Sequence, residues 1–310
     1  MTKNLNNLSK TDIDIAGGKG ASLGEMIKAK IPVPGGFVVL STVFDNFLSE
    51  TDLNIEIESL LHKVNKQDIN SVDQVSNKIR DLILDVDFPK NIAKKIIKDF
   101  SKLGTKYVAV RSSATAEDSS AVSWAGELES YLNTTKTSLL DNIKKCWASL
   151  FTPRAIFYRF EKKLHKTKVS VAVVIQEMIQ SEISGICFTV HPVTKDRDQI
   201  VIEAGYGLGE TVVGGMITPD TYVIHKIEKS ILDKNINQQE KMIVKYNDGN
   251  IEKSVPKSQQ GKQKLDDKEI LKLSQICEKI EKYYNAPQDI EWAFAKGKFY
   301  IVQSRPITTL

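Results

Sequence analysis

The stretch "QDIEWAFAKGKFYIVQSRP", Gln288 to Pro306, constrains the fold more than any other. Two runs rich in aromatic and β-branched residues flank Lys296-Gly297-Lys298, a pattern that predicts a β-hairpin. Its even-numbered positions Ile290, Trp292, Phe294, Tyr300 and Val302 are apolar, whereas the odd ones include Asp289, Glu291, Gln303 and Arg305. Side chains alternate faces along a strand, so the even set forms a core face and the odd set a second face. That second face is either solvated or part of a site, and the hairpin alone leaves both open. Glu291 and Gln303 share a face only if the loop has an odd number of residues. A three-residue loop, Lys296 to Lys298, meets this condition and pairs Glu291 with Gln303.

With 310 residues, 41% of them hydrophobic, the chain can bury a substantial core and is expected to form two lobes. The N-terminus "MTKNLNNLSK" carries no apolar run after its charges, and no segment approaches the length that crosses a bilayer. No membrane association is therefore expected, and the cytoplasm is the default location. Cys146, Cys187 and Cys277 are far apart with no CxxC spacing, which argues for core thiols rather than disulfides or a cysteine metal site. The net charge of +4 is a small excess of 43 basic over 39 acidic residues, so no nucleic-acid partner is indicated.

The order of elements predicts an α+β fold. "AGGKGASLGEMIKA" reads as a glycine turn entering a helix at about Ala21, and "GGFVVL" as a short strand after two prolines. Val43 to Phe100 reads as helical. Tyr107 to Arg111 is a strand running into a polar loop with Ser112, Ser113, Thr115 and Ser119. Ile143, Cys146, Trp147, Leu150 and Phe151 mark a helical face, and Thr152-Pro153 supplies the cap and first position of the next helix. Strands dominate from Val169, so the lobe boundary is placed near Thr167, dividing 1–167 from 168–310. Lys226 to Lys264 reads as solvated strands and loops without a catalytic role. A helix from about Asp267 to Tyr284, with Ile270, Leu273, Ile276, Cys277, Ile280 and Tyr283 on one face, precedes the hairpin.

"GGKGAS" is not a P-loop, because Gly20 stands where that motif needs Ser or Thr. Lys19 is either a solvated lysine at a helix entry or a point charge for phosphate. Arg111 either ties down its own loop or holds phosphates with the nearby hydroxyls. "EAGYGLGE" does not make GxGxxG, and the four histidines form no metal-binding pattern. Cations, glycines and an acid–amide pair on the hairpin are together the parts that a nucleotide-triphosphate site needs. Glu291 and Gln303 offer hard oxygens of the kind that magnesium takes alongside ATP.

"GGKGASLGEM", "PVPGGFVV", "VAVRSSATAEDS", "CWASLFTPRAIFYR", "SGICFTVHPVT", "GLGETVVGGMITPDTY" and "PQDIEWA…YIVQSRPIT" resemble, in order along the chain, the N-terminal nucleotide-binding domain of the phosphoenolpyruvate synthase (pyruvate, water dikinase) family. Pyruvate, phosphate dikinase and rifampicin phosphotransferase are similar. The resemblance spans nearly all of 1–310 and is weakest over 43–100 and 226–264. It implies an ATP-grasp fold in which two lobes clamp ATP. It further implies that Lys19 and Arg111 bind phosphates with Arg305 beside them, and that Gly126 and Ser130 belong to a loop over the phosphates. Glu177 and Met178 would lie at the adenine, contacting it through backbone groups and packing, and Glu291 and Gln303 would hold Mg²⁺. In such enzymes the β- or β,γ-phosphoryl group passes to a histidine on a swivelling domain, which carries it to pyruvate or another acceptor.

The chain ends at "QSRPITTL", where relatives continue toward that histidine domain. A histidine-bearing partner and a pyruvate-binding domain are therefore expected in trans or in a parent chain. Trp124, Glu127 and Ser130 stand where relatives commonly carry Phe, Gln and Thr. The resemblance implies an ATP·Mg²⁺ phosphotransferase module serving phosphoenolpyruvate synthesis. The alternatives are a rifampicin- or glucan-type dikinase subunit, or an ATP sensor that transfers nothing.

Overall fold

The computed structural model describes residues 1–65, 67–115, 129–162 and 170–308. The chain folds as two units, Met1–Gly24 with Gly35–Met178, and Glu25–Pro34 with Ile179–Leu310. The expected boundary at 167/168 lies outside the described residues. The strand that follows it, assigned above to the C-terminal lobe, is central to the first unit's sheet.

In the first unit β1 (Thr2–Asn4), α1 (Ile13–Lys28), β2 (Gly36–Val39), helices α2 (Ser41–Glu50), α3 (Leu53–His62), α4 (Ile69–Asp85) and α5 (Lys90–Lys102), then β3 (Val108–Ala114), β4 (Ser130–Thr134), α6 (Leu139–Ala148), α7 (Pro153–Glu161) and β5 (Val171–Glu177) follow in order. The last four residues of α1 belong to the other unit. The strands form an antiparallel sheet in the order β1-β2-β5-β3-β4. "VAVVIQE" suits the middle of it, because a run with no polar residue before Gln176 can be buried on both faces. One face, through Val171, Val173 and Ile175, joins a core with α2 to α6. There Trp147 sits 5.0–5.5 Å, ring centre to ring centre, from Phe44, Phe47 and Phe88. Thr152 caps α7 as expected, its hydroxyl accepting from the Ala155 N–H, with Pro153 in the first position.

Two local expectations change. The glycine turn is a single residue, Gly17 at φ 68°, ψ 170°, a kink that separates a short helical turn starting at Ile13 from the longer helix that follows, which begins earlier than Ala21. β3 runs on through Ser112 and Ser113, which are buried strand residues rather than loop, while Ser119 lies outside the described residues.

The second unit contains β6 (Ile183–Phe188), β7 (Gln199–Tyr206), α8 (Glu210–Val213), β8 (Asp220–His225), β9 (Ser230–Asn235), β10 (Lys241–Tyr246), β11 (Gly249–Ser254), α9 (Asp267–Tyr284), β12 (Gln288–Ala295) and β13 (Lys298–Pro306). An antiparallel sheet in the order β13-β12-β6-β7-β8-β9 carries the unit, and β10 and β11 pair as a separate hairpin. α9 starts at a reciprocal cap, in which Asp266 and Glu269 each accept the other's backbone N–H, and stops at Asn285 in the left-handed region. Ile270, Leu273, Cys277 and Ile280 are buried as the periodicity predicts, but Tyr283 is 45% exposed and its hydroxyl donates to Glu25.

β9 to β11 are largely exposed, as expected for a lysine-rich stretch. Lys264, at its end, is not. Its ammonium is fully buried 3.0 Å from Asp220 and donates to the Asn237 carbonyl at 2.8 Å. Among the described residues no helix is long and apolar enough to cross a membrane.

Candidate functional site

The hairpin brings Glu291 and Gln303 into direct cross-strand register, by a different route from the one expected. Lys296 and Gly297, at φ 50° and 73°, make a two-residue turn, so Ala295 pairs with Lys298. Positive φ at both central residues matches the twist of a hairpin. A two-residue turn alone would put Glu291 and Gln303 on opposite faces. A bulge between Glu291 and Trp292 corrects this: Glu291 pairs with Gln303 and Trp292 with Ile301, leaving Val302 as an extra residue on β13.

The bulge also reverses the parity of the core face. Near the turn the buried residues of β13 are Phe299 and Ile301, packed with Trp292 and Phe294, while the expected Tyr300 and Val302 are half-exposed. Ile290, Trp292 and Phe294 are buried as expected.

The register extends the polar face across the sheet. Gln303, Glu291, Ile186 and Glu203 lie in one row on β13, β12, β6 and β7, and directly opposite residues share a face. One step along, Arg305 opposes Asp289, and its Nε and Nη2 both donate to the same carboxylate oxygen, at 2.9 and 2.7 Å. Burial pushes the Asp289 carboxyl upward; Arg305 opposes that, and the neighbouring Glu291 adds to it. Burial likewise raises the Glu203 carboxyl, with a further push from Asp289. The sheet therefore gathers three carboxyls, an amide and a guanidinium in two adjacent rows.

In the first unit α1 lies flush against β3. A Cβ on Gly17 would fall 2.3 Å from the Ser113 carbonyl oxygen, so only glycine permits the approach. The Gly20 N–H donates to the Ser113 hydroxyl at 3.3 Å, and that hydroxyl donates to the Ala16 carbonyl at 2.9 Å. Lys19 is thereby carried on the segment that covers β3. Arg111, two residues before Ser113 and on the same face, is opposed by Val174 on β5 and Ser130 on β4. Ser130 is exposed and Arg111 half-buried. Gly126, Trp124 and Glu127 lie outside the described residues. Burial pushes the Cys146 thiol up to about 12, with Ser112 opposing, Glu129 adding and the Lys19 cation opposing. That thiol and its two counterparts are buried, as the spacing predicts.

Glu177 ends β5 and is exposed; its N–H donates to the Gly35 carbonyl at 2.7 Å, and the Met178 N–H to the Tyr107 carbonyl at 3.1 Å. These two donors are committed to the protein. Each unit thus assembles part of the predicted set, Lys19, Arg111, Ser130, Glu177 and Met178 in the first, Glu291, Gln303 and Arg305 in the second.

Sequence reasoning missed Glu203 and gave no role to Asp289. Asp289 was legible as the residue two before Glu291 on the same strand face. Glu203 carried no such signal, because only pairing through β6 places it in the row.

Among the described residues no group of three or more His, Cys, Asp or Glu side chains is placed to hold a metal ion. One carboxylate and one amide oxygen would instead suit an ion that keeps water and takes phosphate oxygens, as magnesium does.

Residues 13–310 match the family described as "Pyruvate phosphate dikinase, AMP/ATP-binding domain", and the chain belongs to it. It is 45% identical to a "Probable phosphoenolpyruvate synthase" of Methanocaldococcus jannaschii over 99% of this chain and 26% of the relative. It is 44% identical to a protein of that description from Archaeoglobus fulgidus over 99% of this chain and 41% of the relative. It is 39% identical to the "Rifampicin phosphotransferase" of Bacillus subtilis over 99% of this chain and 36% of the relative. The chain thus spans between about a quarter and two fifths of the length of these curated relatives.

Proposed function

We propose that the chain binds Mg²⁺·ATP in an ATP-grasp fold and is the phosphotransferase module of a pyruvate, water dikinase type enzyme. It would pass a phosphoryl or pyrophosphoryl group to a histidine on a separate domain, for transfer to pyruvate. The observation that carries this reading is the Glu291–Gln303 cross-strand pair with Arg305 one step away. A bulge is an irregularity a simple hairpin does not need, and here it puts both oxygen donors and the guanidinium on one face.

Glu291 and Gln303 would hold Mg²⁺, which when bound neutralises phosphate charge. Lys19 and Arg111 would hold phosphate oxygens, Arg111 through a planar fork and Lys19 as a point charge. The Ser130 hydroxyl, opposite Arg111, would donate to the same group. Gly126 is proposed for the loop over the phosphates, and Glu177 and Met178 for the adenine. Their N–H groups are engaged elsewhere, so packing and other polar groups of that segment would meet the base. Phosphoryl transfer rests mainly on positioning and charge neutralisation, so these residues need supply no nucleophile. The acceptor histidine and the pyruvate site would lie in another domain or a partner chain. A rifampicin-type acceptor is the second reading, favoured by the 39% identity to a rifampicin phosphotransferase.

Thermal unfolding with ATP, in Mg²⁺ and in EDTA, tests the site. Ligand at about a hundred times its dissociation constant adds roughly 2.7 kcal/mol. A Mg²⁺-dependent stabilisation in the wild type that Glu291→Ala loses is the expected result. A folded wild type that ATP does not stabilise refutes the reading. Phosphohistidine on a partner, with AMP and phosphoenolpyruvate as products, tests the transfer.

A further inference from the structure

Asp289 is not in the set named above, yet the hairpin is built around it as much as around Glu291. We propose that Asp289 is a positioning residue that holds the Arg305 guanidinium for the β- and γ-phosphates of the nucleotide. This inference rests on the proposed ATP site.

Three observations carry it. Arg305 is engaged through Nε and Nη2 on a single carboxylate oxygen, at 2.9 and 2.7 Å, which fixes the plane of the guanidinium and hence the direction of its remaining N–H bonds. The Asp289 side chain is 15% exposed and the Arg305 side chain 41%, so the acid is the inner anchor and the arginine reaches outward from it. Finally, the bulge determines the pairing. Counting back from Trp292–Ile301 without the extra residue, Asp289 would face Ser304; with Val302 inserted it faces Arg305. One irregularity therefore creates both the Glu291–Gln303 and the Asp289–Arg305 pair.

A role confined to stability accounts poorly for this arrangement. A half-exposed ion pair contributes little, and sinking a carboxylate into the sheet is itself unfavourable. Holding a guanidinium in one orientation is the return that offsets that cost.

The test compares ATP with AMP, which lacks the phosphates that Arg305 would serve. Affinities of the wild type, Asp289→Asn, Arg305→Lys and the double variant are measured by calorimetry in Mg²⁺. Asp289→Asn should weaken ATP binding by about ten- to a hundredfold, the scale of one charge-assisted hydrogen bond, and change AMP binding by less than about twofold. In the double variant the two losses should not add, because both act through one guanidinium. Parallel losses of ATP and AMP affinity, additive losses, or no loss would each overturn the proposal. Should Asp289→Asn fail to fold, Asp289→Glu keeps the charge, displaces it by one methylene, and must show the same selective loss. A wild type that binds AMP and ATP equally well refutes the positioning role alone; one that binds neither refutes the ATP site with it.

Discussion

Replacing Lys264 by methionine should unlatch one edge of the second unit. The Lys264 ammonium and the Asp220 carboxylate are both fully buried, 3.0 Å apart, and the ammonium also donates to the Asn237 carbonyl at 2.8 Å while lying 5.1 Å from the Tyr206 ring centre. Methionine retains most of the packing and removes the charge. Removing one partner of a buried pair costs roughly 3–5 kcal/mol, because the other charge is stranded. Asp220 would keep three donors, the Tyr222 hydroxyl at 2.9 Å and the Asn237 and Lys264 N–H groups at 3.0 Å. The lower end, about 3 kcal/mol, is therefore expected, roughly 150-fold in an opening equilibrium. Amide exchange read by mass spectrometry should show about that acceleration in peptides covering β8 and residues 237–265, with peptides of β3 and β5 unchanged. Adding Asp220→Asn should recover part of the loss, since the stranded charge disappears. Exchange within twofold of wild type in Lys264→Met would refute the reasoning.

Two other perturbations test the first unit. Gly17→Ala puts a Cβ 2.2 Å from the Ser113 hydroxyl and 2.3 Å from its carbonyl oxygen at a φ of 68°, and should cost at least about 2 kcal/mol in urea unfolding; because the backbone clash persists without the hydroxyl, Ser113→Ala should not abolish the loss, and a loss under about 0.5 kcal/mol contradicts the close approach. For Asp99, burial works against ionisation, but hydrogen bonds from Thr2, Lys102 and Lys95 prevail and hold its carboxyl below the ordinary range. A depressed carboxyl contributes stability that is complete above its unfolded value, about 3.9, and is lost as pH falls toward the folded one. The melting-temperature gap between wild type and Asp99→Asn should thus be widest near pH 5 and shrink toward pH 2.5, and a constant gap would rule this out.

Much of the candidate site was readable before the structure. Alternation in "DIEWAF" places Asp289 and Glu291 on one face and Trp292 on the other, and β12 is built that way. The cap at Thr152-Pro153 and the period of α9 were legible for the same reason, since caps and periodicities are properties of neighbouring residues. The pairing of Glu291 with Gln303 was anticipated for a reason that does not hold. A two-residue turn and a bulge reach the register that a three-residue loop would have reached, and only the parity of Tyr300 and Val302 reveals the difference.

What the sequence determined by itself is therefore local: which residues alternate, where helices begin and end, and which chemical groups each element carries. Only the tertiary structure decided which groups meet. Glu203 joins the row of Glu291 through β6, and Lys264 finds Asp220 across 44 positions of chain in a stretch whose composition signals solvent. Register and long-range burial depend on pairing energies summed over a whole sheet, and no window of neighbouring residues contains that sum.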